Sequence, residues 1–155
     1  MNHRLVTDRI DVETHGDGQV LDLTDRVVEK VSEHGLQEGQ VLIFVSGATA
    51  AVTTLEYEPG LVRDLPEFFD RIVPKDLPYH HEATWHDGNG HSHVRASLLG
   101  PSLTVPVAGG NLLLGTWQQI VLVDFDNRRR RRRIVVQLSG LARSADAARE
   151  KSQVP

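Results

Sequence analysis

Five of the eight histidines of this 155-residue chain fall between Tyr79 and Gly100: His80, His81, His86, His91 and His93. Glu82 and Asp87 stand among them, beside the turn-forming run Asp87-Gly88-Asn89-Gly90. Imidazole and carboxylate are the side chains that bind divalent metals and carry protons near neutral pH. No other window of the chain concentrates that chemistry, so an active site would draw on this stretch. The spacing is not that of a zincin, because no HExxH pair is present. His91 and His93 are two residues apart, so they share a face on a strand and diverge on a helix. They serve one metal only if no helix has begun there. The backbone of Gly88, Asn89 and Gly90 offers an anion-binding nest, or simply a tight turn.

Other positions carry weaker chemical signals. Glu56 ends an apolar and hydroxylic strand, as a base, a ligand or a surface ion-pair partner. Asp64 is a helix cap or a site residue. Ser46-Gly47-Ala48-Thr49 is a small-residue turn between two apolar strands, where a ligand can approach the backbone or a bulge can form. Trp117 sits beside Gln118 and Gln119, with packing the ordinary role of the ring and ligand hydrogen bonding open to Gln118. Arg128 to Arg133 are six arginines in a row. Such a run binds phosphates or nucleic acid, or guards an edge strand against pairing. The net charge of -4 disfavours a nucleic-acid partner.

The elements that must position these residues follow from patterning. Residues 3–12 alternate as a first strand. Leu23, Val27 and Val31 recur on one helical face up to Gly35. Residues 40–46 and 50–57 are β-branched and apolar, hence strands. A helix over 61–72 contains Pro66, which places its ordered start near Asp64. Val94–Leu99 is a short helix, Leu103–Val107 a strand, and Gly109-Gly110 a hairpin turn. Gln118–Asp126 and Ile134–Leu138 are the last strands, with the arginines at the hairpin between them. The fold class is α+β, a mainly antiparallel sheet or sandwich with two to three helices. One domain is expected over 1–140, followed by a polar tail over 141–155. The chain has no cysteine, which excludes disulfides, thiolate catalysis and cysteine–zinc sites. Lacking a signal-peptide pattern or a membrane span, it reads as cytoplasmic.

Four segments together resemble the YjbQ-like family, also labelled the secondary thiamine-phosphate synthase family. They are FVSGATAAVTTLEYE with Asp64 beyond it, YHH, GNGHSHVRASLLGPSLTVPV, and LGTWQQIVLVDFD. The resemblance covers about residues 5–140. It implies a small α+β fold with a β-sandwich core, a homotrimer, and sites near subunit contacts. It implies metal-binding or catalytic roles for His81 and His93, and it matches Glu56 and Asp64 to the family's acidic positions. One departure stands out: Gly47-Ala48 replaces a His-Thr pair of many relatives. His91, Glu56 or water would then complete a zinc or magnesium site, or the Gly47 turn would hold an anion directly. The implied reaction joins a pyrimidine alcohol pyrophosphate to a thiazole phosphate and releases pyrophosphate. In that scheme His81, His93 and Glu56 do the chemistry. Gly88, Asn89, Gly90 and Arg95 contact phosphate, with Gly47, Thr49, Asp64 and Gln118 around the ligand. The alternative is a trimer that binds a phosphorylated metabolite without turning it over.

Overall fold

A computed structural model describes residues 1–144. In chain order the elements are β1 (Asn2–Thr14), β2 (Gln19–Asp22), α1 (Thr24–Glu33), β3 (Leu36–Val45), β4 (Ala50–Leu55), α2 (Pro59–Ile72), α3 (Glu82–Trp85), α4 (Gly90–Leu99), β5 (Ser102–Ala108), β6 (Asn111–Leu112), β7 (Gln119–Asp124) and β8 (Arg130–Ala142). The strands form two antiparallel sheets, ordered β1-β8-β3-β5-β6 and β2-β7-β4. The α+β class is therefore as expected. Helices number four among the described residues, one of them a single turn. None of them is long and apolar enough to cross a membrane.

Strand β7 explains the layering. Its alternation places Ile120 and Leu122 on one face and Val121 and Val123 on the other, all of them buried. The first pair joins a core with Ile43, Val45, Ile134 and Val136 of the large sheet, closed by Val27 and Val31 of α1. The second pair, with Phe125, packs under Phe69 of α2 and Ala96 of α4. Phe69 and Phe125 meet edge to face at 4.9 Å, the geometry aromatic quadrupoles favour. The small sheet is thus the middle of three layers. Each buried aliphatic side chain contributes about 1.5–3 kcal/mol, so both faces of β7 hold the molecule together. Gly109 and Gly110, at φ 57° and 79°, close the β5–β6 hairpin in the left-handed region that two-residue turns require.

Four boundaries differ from the sequence expectation. Helix α2 starts at Pro59, not near Asp64, because the Glu58 carboxylate accepts from the N–H groups of Gly60 and Leu61. Proline suits that first turn, and Pro66 is carried inside the helix. Helix α4 starts at Gly90, not Val94, so His91 and His93 are helical. The arginines are not a hairpin: β8 begins at Arg130 and lies between β1 and β3, away from any edge. Finally, β8 continues through Ala142, past the expected start of the tail. The part of that tail from residue 145 onward lies outside the described residues.

Candidate active site

One end of the layered sheets gathers the charged chemistry. There β7 ends at Asp124, β4 begins at Ala50, β8 begins at Arg130 and β1 ends at Thr14, with Thr14 opposite Arg130 and Ala50 opposite Asp124. Strand parity does the rest. Arg132 shares the inward face of β8 with Ile134 and Val136, whereas Arg131 and Arg133 point outward. An inward arginine must be paired. Arg132 donates from Nε and Nη2 to both oxygens of Asp124, at 2.6 and 2.9 Å. Its Nη2 also donates to Thr49 Oγ1 at 2.7 Å. That hydroxyl donates onward to Asp126 Oδ2 at 2.8 Å, the oxygen that also accepts from Arg130 Nε at 2.8 Å. Thr14 Oγ1 donates to Asp124 Oδ2 at 2.6 Å. Asp124 and Asp126 are wholly buried. Burial alone would raise the Asp126 pKa, but its hydrogen bonds from Thr49 and Arg130 outweigh that and hold it below the usual value.

This network spends only part of each guanidinium. Among the described residues, Arg130 bonds only through Nε, and Nη1 of Arg132 makes no hydrogen bond. Both arginines line a cleft of about 360 Å³ together with Thr49, His81, Trp85, Asn89 and His93. Gly47 borders Arg132 because a Cβ there would stand 2.7 Å from Nη1. Ordinary contacts do not approach so closely, so the glycine leaves the guanidinium its place.

The facing wall is built by α3 and α4. His81 precedes α3, His93 lies on α4, and their rings stand 4.4 Å apart at 47°. Asp87 Oδ1 is 3.6 Å from His81 Nε2, and that nitrogen is buried without a hydrogen-bond partner, as is Asn89 Oδ1. Buried polar atoms are nearly always satisfied, so two unpartnered ones in one cleft fit a polar ligand. The connection between the helices is clipped by Glu82, whose carboxylate accepts from Gly88 N at 2.6 Å and Gly90 N at 2.7 Å. Asn127 Nδ2 ties it to the strand ends by donating to Asp87 O at 2.8 Å.

The structure thus brings together His81, His93, Thr49 and Asn89 of the sequence candidates, with Gly47 next to Arg132. It separates the others. Gly88 and Gly90 form a nest, but Glu82 already fills it. Arg95 is buried and donates to Val73 O at 3.0 and 2.7 Å and to Asp70 Oδ1 at 2.9 Å, so it fastens α4 to the end of α2. His91 lies on the same side of α4 as Arg95, beside Tyr79 and away from the cleft. Burial, then the charges of Arg95 and Lys75, lower its pKa. Glu56 follows the far end of β4, about 23 Å from Thr49 at the usual rise of a strand. Gln118 is at that far end too, donating to Thr54 Oγ1 at 3.2 Å, and Asp64 is exposed on α2.

A metal would find two imidazoles in the cleft, with Asp87 beside one of them. His91 faces elsewhere, Glu56 is distant, Gly47 has no side chain, and two guanidinium groups share the space. Catalytic zinc uses three protein ligands that converge on one point, but among the described residues the ligand atoms of His81, His93 and Asp87 do not all come within 4.8 Å of one another, so this donor set does not fit, and no chemical step is derived through a metal. Elsewhere, Asp8, Glu33 and His34 bring ligand atoms within 4.8 Å of one another, but the ammonium of Lys30 already bonds Glu33 at 2.9 Å and Asp8 at 3.2 Å.

Sequence reasoning missed Trp85, Asp124 and Asp126, named Asp87 without a role of its own, and weighed Arg130 and Arg132 only as part of the basic run; a signal existed to single these two out and to find the two buried aspartates. Two aspartates two apart, followed by arginines two apart at even positions, match in parity, and the strand-like alternation of Ile134 to Leu138 extends back through the run.

Residues 8–141 match the family described as UPF0047 protein YjbQ-like. A UPF0047 protein of Archaeoglobus fulgidus is 40% identical over 117 residues, covering 76% of this chain and 89% of that protein. One from Mycobacterium tuberculosis is 43% identical over 126 residues, covering 80% and 92%. Among solved structures, a YbjQ-like protein of unknown function from Sulfolobus solfataricus superposes with a TM-score of 0.86 at 34% identity, covering 90% of this chain and all of that one. A hypothetical protein from Aeropyrum pernix gives 0.82 at 36%, covering 88% and 99%.

Proposed function

This chain belongs to the UPF0047 YjbQ-like family, and from that premise we propose that its cleft binds a small phosphorylated metabolite and transfers protons to it through His81 and His93. The observation that carries the proposal is the facing of unspent guanidinium N–H groups on Arg130 and Arg132 by two imidazoles across about 360 Å³. Guanidinium forks match phosphate oxygens. Imidazole supplies a proton to a leaving oxygen or takes one from a nucleophile. Fixed cationic donors stabilise charge that grows on a departing phosphate or pyrophosphate. That is the demand of the thiamine-phosphate-synthase type of reaction implied by the family resemblance. There a ring nitrogen of the thiazole attacks the methylene carbon of the pyrimidine, and its bond to pyrophosphate breaks. The two arginines hold the departing group, and one histidine protonates it.

The test measures pyrophosphate binding by calorimetry, then product formation with enzyme and substrates at equal concentration. Binding lost in Arg130→Gln, and turnover lost in His81→Asn and His93→Asn, are expected. Full turnover in both histidine variants overturns the catalytic assignment. A second reading, a binding protein without turnover, is favoured by Gly47, which replaces a histidine of many relatives. It predicts tight binding with no product even at stoichiometric enzyme. The homotrimer that the resemblance implies belongs to both readings and is tested by sedimentation equilibrium, where a monomer removes it.

A further inference from the structure

We infer that the ligand of this cleft carries a compact apolar group beside its phosphate, seated in a side chamber walled by small residues. The inference rests on the phosphate reading above and adds the class of ligand. A second cleft, of about 230 Å³, adjoins the first, and Ala48 and His93 line both. Its remaining lining is Gly47, Ala50, Ala96, Ser97 and Pro101. No lysine, arginine, aspartate or glutamate borders it, whereas the first cleft has Arg130, Arg132 and Asp87. The two spaces therefore differ in chemistry and meet at one imidazole.

Small side chains create the chamber. Gly47 and Ala48 come from the loop before β4, Ala50 opens that strand, and Ala96 sits on the α4 face turned towards it. A larger residue at Ala48 or Ala96 would intrude on the space. The Cβ that Gly47 lacks would point at the guanidinium, 2.7 Å from Arg132 Nη1, so Gly47 borders the chamber with backbone alone.

The volume sets the size of the group. A cavity of ~150 Å³ accommodates benzene, and a water occupies ~30 Å³. The chamber accordingly suits a five- or six-membered ring or a short branched alkyl group. An open chamber holds water, and apolar surface that displaces it gains affinity in proportion to its area. A charged group would lose hydration there without a partner. The site should therefore discriminate among phosphate monoesters by the group they carry, with His93 at the junction close to the ester oxygen.

The probes are inorganic phosphate, methyl phosphate and phenyl phosphate, titrated calorimetrically against the full chain. All three should bind, with phenyl phosphate about tenfold tighter than methyl phosphate or better. Ser97→Leu, which fills the chamber from α4, should bring phenyl phosphate down to the methyl phosphate affinity, and Ser97→Ala should keep the preference. Equal affinity of the two esters for the wild-type protein overturns the inference while leaving the phosphate reading intact. So does a preference that survives Ser97→Leu. Binding of none of the three overturns the phosphate reading itself, and the inference with it.

Discussion

Arg132 and Arg133 are neighbours of the same type with opposite fates. Arg132 is buried against Asp124 and bonds both its oxygens through Nε and Nη2, whereas Arg133 is 57% exposed and lies 3.5 Å from Asp11. Breaking a buried pair strands a charge and costs about 3–5 kcal/mol, while losing an exposed one costs about 0–1 kcal/mol. Arg132→Met should lower the urea midpoint sharply, and Arg133→Met should leave it nearly unchanged. Similar midpoints for the two variants would remove the buried network from the description. Gly47→Ala meets a guanidinium pinned by three hydrogen bonds, so the side chain cannot swing aside freely. A loss of about 1–3 kcal/mol is expected, as for other overpacked sites. Phosphate affinity measured on the same sample should fall with it.

The element that most shapes the cleft is the connection from α3 to α4. Glu82 holds it by two charge-assisted bonds to backbone N–H groups, and such bonds are worth about 1.5–3 kcal/mol each. Glu82→Ala should release Asp87 and the start of α4, lower stability by about 2–3 kcal/mol, and raise amide exchange at Gly88 and Gly90 before the sheets are affected. Unchanged exchange there would show that the turn holds itself. This connection was only partly legible in the sequence. The histidine stretch announced chemistry, and His81 and His93 do meet. Its geometry was hidden because α3 is a single turn with no periodic signal, and the Gly88–Gly90 turn looks equally fit for an external anion or an internal carboxylate. The early start of α4 was hidden as well, since Gly90 is a poor helix former and polar residues fill the first turn. The long strands were legible because β-branched alternation is enforced by burial. The short β2 was not, since its pairing with β7 is fixed by a partner a hundred residues away.

For the molecule as a whole, acid stability follows from where the titrating groups sit. His91 is buried, with a pKa below the ordinary 6.5. The unfolded chain therefore binds the extra proton, and stability falls as pH drops below that value. Asp126 and Asp8 are also lowered, from their ordinary value of 3.8, Asp8 to about 2 through its hydrogen bonds from His34 and Arg9. Their contribution is present above the ordinary carboxylate range and is lost as pH falls through the lowered values. Urea midpoints should decline first between about pH 7 and 5, and His91→Gln should shrink that decline. An equal decline in the variant would assign it to another histidine. At this scale the sequence was informative about class and misleading about the arginines, which it set at a hairpin or an edge and not inside a central strand. Taken as a run they look like one basic patch, and only their parity against Asp124 and Asp126 divides them between interior and surface.

That division has a consequence for how the chain finds its fold. Six identical residues contain no address. A β8 slipped by two positions against β1 and β3 still offers an arginine to each buried aspartate, and only the misplaced hydrophobic rows beyond it report the error. Such a slip keeps its ion pairs while it persists, so it must come apart before it can be corrected. Refolding in water should therefore show a slow phase, and that phase should vanish when Arg128 becomes threonine. The altered run then has only one register of the native parity in which arginines meet both aspartates, and the chain gains a ruler where it had a blank tape.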